Sequence, residues 1–289
     1  MSAFRAGFVA ILGRPNAGKS TLLNALLGEK LAIVTDKPQT TRSRILGIKS
    51  VPGAQILFVD TPGLHASERT FNAALNQQAE EAAGGADVVM LLADLTRGWN
   101  AEQAAWLERW QARKVAPIVV GTKLDLPGAR ETAWPPPGAE NAFRVSARDG
   151  EGIPALLEHI ASVLPESPAL YPEDEISDRP LRFLVAELVR EAAFDALEQE
   201  LPYSIAVEVE SYDESREDLV RIRANLIVER ESQKPIVIGR GGSQIKKIGI
   251  RARQGIEELI ESRVHLELRV KVEPKWTKKP ARVKALGYV

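Results

Sequence analysis

The first 165 residues alternate short, unbroken apolar runs with longer stretches of helical spacing. The runs fall at 8–12, 56–59, 88–92, 118–120 and 142–145. Continuous runs of this length, parted by helices, predict parallel strands buried on both faces. Residues 44–51 alternate instead and end at Pro52-Gly53, which predicts a hairpin into the 56–59 run as an antiparallel edge. Helical spacing covers 19–27, 70–83, 101–113 and 153–164. Together these predict an α/β fold, a doubly wound sheet that takes ligand at the carboxyl ends of its strands. Pro165, Pro168, Pro172 and Pro180 then punctuate an acidic stretch that reads as a semi-rigid linker. A second cluster, Trp134-Pro135-Pro136-Pro137-Gly138, lies between two sheet strands and reads as a surface loop. Beyond the linker come an amphipathic helix over 181–197 and strand patterns over 203–210 and 219–229. The apolar run 236–238 follows, with a glycine loop expected between the middle strand and a helix, then helices over 243–248 and 250–262, and a closing strand over 264–272. We therefore divide the chain into a first domain (1–165), a linker (166–180) and a smaller α+β domain of order α-β-β-α-α-β (181–289).

Composition narrows the picture. The chain has 289 residues, with 44% hydrophobic and 27% charged, ordinary for a water-soluble protein. There is no cysteine, which excludes disulfides and thiolate metal sites. His65, His159 and His265 are too scattered in sequence to suggest zinc. No apolar run approaches the ~20 residues of a membrane span, so the cytoplasm is the expected compartment. The net charge of −1 hides an asymmetry. Residues 181–233 carry 6 Lys+Arg against 13 Asp+Glu, whereas residues 234–289 carry 14 against 5. A basic terminal block of this kind points to a polyanion, either nucleic acid or the anionic inner face of a membrane.

Between the first run and the first helix lies Gly13-Arg14-Pro15-Asn16-Ala17-Gly18-Lys19-Ser20, followed by Thr21. Strand, G-x-x-x-x-G-K-[ST] loop and helix together form the context of a phosphate-binding P-loop. Glycines let backbone N–H groups approach a phosphate, and the helix adds its positive end. Lys19 would reach the β- and γ-phosphates, and Ser20 would ligate Mg²⁺. Asp60-Thr61-Pro62-Gly63 ends the 56–59 run. Asp60 can hold Mg²⁺ through water, and Gly63 leaves its N–H for a γ-phosphate. Thr40 and Thr41 precede the edge strand, where a threonine would complete the Mg²⁺ shell only with γ-phosphate present. Two such sensors make a switch that relaxes on hydrolysis. Lys19, Thr41, Asp60 and Gly63 are thus the candidate catalytic set, and Ser20, Thr41 and Asp60 the candidate Mg²⁺ ligands. Thr122-Lys123-Leu124-Asp125 follows the 118–120 run. Asp125 can accept from guanine N1 and the 2-amino group, a donor pair adenine lacks. Ser146-Ala147 follows the next run, where a backbone N–H can reach guanine O6.

In the second domain, Gly239-Arg240-Gly241-Gly242 permits close approach of backbone to phosphate. Arg240, Lys246 and Lys247 add charge, and Ile238 and Ile245 an apolar floor for bases. Arg251 and Arg253 either contribute or solvate their helix. Trp276 either stacks on a base or packs in the core.

These motifs, with Gln39-Thr40-Thr41-Arg42, Leu201-Pro202-Tyr203-Ser204, Ile245-Lys246-Lys247-Ile248-Gly249 and Leu286-Gly287-Tyr288, resemble the Era family of ribosome-assembly GTPases over almost the whole chain. The resemblance implies a P-loop GTPase domain followed by a type II KH domain whose Gly-x-x-Gly loop clamps about four nucleotides. It implies GTP and Mg²⁺ as cofactors, the 3′ end of 16S ribosomal RNA and the small (30S) ribosomal subunit as partners, a monomer, and slow intrinsic hydrolysis. It also implies that Asn16 holds K⁺. Two positions depart from the patterns of related GTPases. Thr122 stands where the family usually has Asn, and its hydroxyl can do only part of what that amide does. Leu64 stands where Ras-type enzymes orient water with glutamine, as the family leads one to expect, and His65 beside it is an alternative. Two rival classes stay open: a P-loop kinase or ATPase with an RNA-binding tail, which Asp125 opposes, and a non-enzymatic RNA scaffold, which intact Lys19, Ser20 and Asp60 oppose.

Overall fold

The computed structural model describes residues 3–35, 45–60, 81, 83–113 and 116–288. The helix predicted over 70–83 lies outside these residues except for its end. Two compact units are formed. One holds the chain to Ala32 and again from the second strand to Asp178, and the other holds the described residues 33–35 and the chain from Arg179.

The first unit is built on a six-stranded sheet. Its strands are β1 (Arg5–Gly13), β2 (Ile45–Val51), β3 (Ala54–Asp60), β4 (Val88–Asp94), β5 (Ala116–Thr122) and β6 (Asn141–Arg144), in the order β2-β3-β1-β4-β5-β6. β2 is antiparallel to β3, and the other pairs are parallel. All seven residues of β3 and all seven of β4 are buried, as unbroken apolar runs require when both faces are covered. Helices α1 (Lys19–Leu27), α2 (Ala101–Gln111) and α3 (Ile153–Val163) belong to this unit. Asn100 opens α2 with a capping box, accepting from Gln103 N and donating its own backbone N–H to the Gln103 side chain. The register sets Asp94 beside Thr122 and Gly13 beside Leu92, so the carboxyl ends of the central strands share one rim.

The proline-rich stretch is less free than its composition suggests. Ala6 N donates to Pro165 O (3.2 Å), Ser167 N to Phe4 O (3.0 Å) and Ile48 N to Ile176 O (2.9 Å), while Ser177 Oγ donates to Leu46 O (2.8 Å). The anchor is Gln55 on β3, only 1% exposed. Its Oε1 accepts from Leu170 N (2.8 Å) and Tyr171 N (2.9 Å), and its Nε2 donates to Tyr171 O (2.9 Å). One side-chain amide thus satisfies three backbone groups that proline spacing leaves without a ladder.

The second unit has a three-stranded sheet, β7 (Ala206–Asp213), β8 (Val220–Val228) and β9 (Val264–Val272), with β7–β8 antiparallel and β8–β9 parallel. Helices α4 (Leu181–Ala196) and α6 (Ser243–Ile260) cover one face through Val185, Val189, Ile222, Leu226, Ile248 and Ile256. α5 (Lys234–Ile238) and α7 (Pro280–Ala285) complete it.

Three expectations need correction here. The two helices predicted over 243–248 and 250–262 are one helix, because Gly249 continues it and a Cβ there would make ordinary contact with Leu268. The run 236–238 lies in the short helix α5, so the glycine loop joins two helices rather than a strand and a helix. The strand predicted from 203 begins at Ala206, after one turn of 3-10 helix, Pro202–Ser204. Trp276 takes its core alternative. It is buried with Ala206, Ile227, Leu286 and Tyr288, and its Nε1 donates to Ser204 O (3.1 Å). Arg282 secures the same segment, donating to Glu208 Oε1 (2.7 Å) and to Glu273 Oε2 (2.8 Å). Among the described residues no helix is long and apolar enough to cross a membrane.

Replacing Gln55 with Leu leaves three backbone groups without their partner, a loss limited by release of the stretch to water. We expect a stability loss of about 1–3 kcal/mol in denaturant titration and new protease cuts within 166–177. An unchanged cleavage pattern would show that the other contacts suffice.

Candidate nucleotide and nucleic-acid sites

Backbone geometry makes the loop after β1 suited to an anion. Asn16 (φ 61) and Gly18 (φ 85) occupy the left-handed region, and Gly18 caps α1 with no side-chain hydrogen bond. The first N–H groups of the helix are therefore not taken by a capping side chain and aim into the loop. Lys19 is only 8% exposed, and its Nζ donates to Gly13 O (3.2 Å) and Arg14 O (3.1 Å). Burial pushes its ammonium down to about 8, and the Asp60 carboxylate acts against that. Ser20 Oγ donates to Asp60 Oδ2 (3.0 Å). The rest of the loop, Arg14, Pro15 and Ala17, closes by the bond from Ala17 N to Arg14 O (3.2 Å), and Thr21 lies in the first turn of α1. Hydroxyl and carboxylate oxygens this close, beside a buried ammonium, fit a small divalent cation carrying phosphate oxygens. Thr41 and Gly63, with Thr40, Leu64 and His65, lie outside the described residues.

The second half of the rim comes from β5 and β6. Thr122 is 2% exposed, and its Oγ1 lies 2.8 Å from Ala17 O and 3.1 Å from Ala93 O. A hydroxyl has one proton, so it ties the P-loop to β5 or β5 to β4 at any moment. Thr122 therefore keeps the loop-bracing part of an asparagine's work. Lys123 has φ 61, and its Nζ donates to Asp94 Oδ2 (2.8 Å). Leu124 N donates to Val145 O (3.1 Å), which brings Asp125 beside Ser146, whose Oγ is 3.1 Å from Asp125 Oδ1. Ser146 Oγ also accepts from Asp149 N (3.1 Å), and Ala147 follows, half-buried. Sequence reasoning missed Asp94. Its signal was available, since it ends a buried apolar run as Asp60 does.

In the second unit Gly239, Gly241 and Gly242 have φ of 74, 61 and 79. At Gly239 a Cβ would lie 2.6 Å from Gln244 Cβ and 2.7 Å from its backbone nitrogen, so this glycine is fixed by space as well as by φ. Gly242 caps α6 with no side-chain hydrogen bond, repeating the arrangement at Gly18. Arg240, Lys246 and Lys247 are exposed around this loop, with Ile238 and Ile245 half-buried beneath. Arg251 pairs with Asp195, and Arg253 lies 3.8 Å from Glu257, so both are engaged with their own unit. Among the described residues no His, Asp and Glu group has the arrangement of a metal cluster.

Comparison with known proteins places these features. Residues 8–123 match the family model described as 50S ribosome-binding GTPase, and residues 200–277 match the KH domain model. GTPase Era of Nitratidesulfovibrio vulgaris (strain DP4) is 47% identical over 302 residues, covering 98% of this chain and 96% of that protein. GTPase Era of Geobacter sp. (strain M21) is 43% identical, covering 99% and 98%. A solved Aquifex aeolicus Era variant bound to GDP and AlF4⁻ superposes with a TM-score of 0.87 at 38% identity, covering 99% of this chain and all of that one. A solved complex of Era with MgGDPNP and nucleotides 1506–1542 of 16S ribosomal RNA gives the same TM-score and identity, covering 99% of each chain. A P-loop GTPase unit followed by a KH unit, matched end to end by these relatives, shows that the chain belongs to the Era family of GTPases.

Proposed function

We propose that this protein is a GTP-hydrolysing switch that binds the 3′ end of 16S ribosomal RNA through its KH unit and assists maturation of the small ribosomal subunit. The observation that carries it is the shared rim of one sheet. Lys19 and the Ser20–Asp60 pair stand at one end of that rim, and Asp125 with Ser146 stands at the other. The RNA assignment is supported by the exposed cations around the Gly239–Gly242 loop and by the relative solved with 16S nucleotides 1506–1542. We assign residues 1–165 to the GTPase domain, 166–180 to the linker and 181–289 to the KH domain.

The roles follow from the chemistry of each group. Residues 13–21 cradle the phosphates through backbone N–H groups and the Lys19 charge. Ser20, Asp60 and Thr41 hold Mg²⁺, which when bound neutralises charge developing on phosphate oxygens. Gly63 offers its N–H to the γ-phosphate. Asp125 accepts from guanine, and Thr122, Lys123, Ser146 and Ala147 shape the base pocket. Asn16, at φ 61 in the loop, holds K⁺ near the phosphates. In the second unit, Ile238, Gly239, Arg240, Gly241, Gly242, Ile245, Lys246 and Lys247 take the RNA backbone and bases.

The test is turnover of GTP and of ATP, in K⁺ and in Na⁺, with and without an oligonucleotide matching the 3′ end of 16S ribosomal RNA. We expect slow GTP-only turnover that needs K⁺ and rises with the RNA. Equal rates in the two salts would remove the Asn16 assignment, and indifference to RNA would remove the RNA assignment.

Asp125→Ala withdraws the acceptor that only guanine satisfies. It should weaken GTP binding by about a hundredfold or more, as loss of a charged hydrogen-bond pair does, and leave weak ATP binding unchanged. Retained preference for GTP in a competition assay would place base recognition elsewhere.

Lys19 gives a pH prediction. Its ammonium titrates near 8 because it is buried, and a bound phosphate raises that value, so nucleotide binding takes up a proton. GDP affinity should be level below pH 8 and fall as pH rises through it, by at most about tenfold per unit. Calorimetry at pH 8 in buffers of different ionisation enthalpy reads the uptake directly. Identical heats would show that Lys19 is already charged.

A further inference from the structure

We propose that Asp94 is a positioning residue for base recognition, acting through Lys123. The inference rests on the guanine-site reading above and extends it to a residue on a neighbouring strand. Asp94 ends β4 and lies in register with Thr122 on β5. Its side chain is 7% exposed, and both oxygens are engaged. Oδ1 accepts from Thr96 N (3.0 Å) and Thr96 Oγ1 (2.6 Å), which locks the carboxylate to its own turn. Oδ2 is left to face Lys123 Nζ at 2.8 Å. Arg97 Nε stands 3.7 Å from Oδ2 on the solvent side, with its side chain 69% exposed. Burial alone would raise the Asp94 carboxyl, yet the hydrogen bonds from Lys123 and Thr96 hold it below its ordinary range. It is therefore charged at neutral pH.

What this ion pair holds is a strained turn. Lys123 sits at φ 61, where a side chain other than glycine is uncommon. The residue before it is tied by Thr122 Oγ1, and the residue after it by Leu124 N to Val145 O. Asp125 comes next, facing Ser146. The direction in which Asp125 points is thus set by a left-handed residue whose side chain is anchored at Asp94, the last residue of β4. Anchoring the ammonium at Asp94 keeps the strained backbone in place, because relaxing φ would sweep Nζ away from a buried carboxylate. A purely structural pair would only stabilise the sheet rim. Strain at a recognition turn, held by a buried charge outside the recognition set, favours the positioning role.

The experiment compares wild type with Asp94→Ala, Asp94→Asn, Lys123→Met and the Asp94→Ala/Lys123→Met double variant. The readouts are GDP and IDP dissociation rates and steady-state GTP kinetics. IDP lacks the 2-amino group that Asp125 accepts from, so the GDP/IDP ratio reports Asp125 placement. Asp94→Ala should release GDP about tenfold faster and raise KM for GTP alike, as expected for one charge-assisted hydrogen bond, with kcat held within about twofold. The GDP/IDP ratio should shrink, which loss of overall stability alone would not cause. Asp94→Asn keeps an acceptor for Thr96 and should show about a threefold effect, and it carries the test should the alanine variant not fold. The double variant should be no worse than the worse single, because both remove one interaction. Wild-type GDP release and GDP/IDP ratio in Asp94→Asn, or a fall in kcat at constant KM, would overturn the proposal. A wild type that holds ADP as tightly as GDP would instead overturn the guanine reading on which it rests.

Discussion

Burial of the Lys19 ammonium is the constraint around which the first unit is arranged. A cation at 8% exposure loses most of its hydration, and among the described residues the carbonyls of Gly13 and Arg14 and the field of Asp60 compensate it in part. That shortfall is what a phosphate removes. The neighbouring features serve the same end. The left-handed residues Asn16 and Gly18 turn the loop around the point where the anion would sit, and α1 begins there with no side chain over its N–H groups. The fully buried leucines of α1, Leu22, Leu23 and Leu26, hold the helix against the sheet so that its end cannot retreat.

The second unit answers a similar problem with the same backbone device. Gly242 caps α6 in the left-handed region just as Gly18 caps α1, again with no side-chain cap. The surroundings differ. At the first loop the cation is buried and the carboxylate of Asp60 is near, which suits a compact, highly charged ligand with a metal. At the second loop Arg240, Lys246 and Lys247 are exposed and half-buried Ile238 and Ile245 lie beside them, which suits a flexible polyanion that brings apolar base faces with it. One geometry thus serves two ligand classes, and side-chain burial decides between them.

Much of this was legible in the sequence because the signals are local. Unbroken apolar runs give buried parallel strands, and the residues that end them fall at the site by topology alone. Failures came where a distant partner decides. Gln55 reads as an ordinary polar residue on a strand, and only the fold shows that it fastens the proline-rich stretch at Leu170 and Tyr171. Gly249 reads as a helix break, yet α6 continues because packing of Ile248, Ala252 and Ile256 outweighs the roughly 1 kcal/mol that a mid-helix glycine costs. Trp276 could stack or pack on sequence grounds, and Ser204 O, 72 residues away in the chain, supplies the acceptor that settles it. Segments 36–44 and 61–80, where Thr41 and Gly63 fall, are legible by motif alone, since they lie outside the described residues.

Thr122 shows how these links combine at the base end. An asparagine amide can donate two hydrogen bonds and accept others at once, whereas this hydroxyl has one proton to divide between Ala17 O and Ala93 O. The tie between P-loop and base loop is therefore intermittent in this chain. Rigidity lost there must come from elsewhere for Asp125 to stay beside Ser146. The contacts that remain include the Lys123–Asp94 ion pair on one side, the Leu124–Val145 backbone bond on the other, and the bond from Leu126 N to Lys123 O (3.0 Å). Of these the ion pair is the one that holds the side chain of the left-handed residue, and its carboxylate is locked by Thr96 as well. A single-proton brace at position 122 and a fully engaged carboxylate at position 94 are thus complementary parts of one solution: the weaker the first, the more the orientation of the base pocket depends on the second.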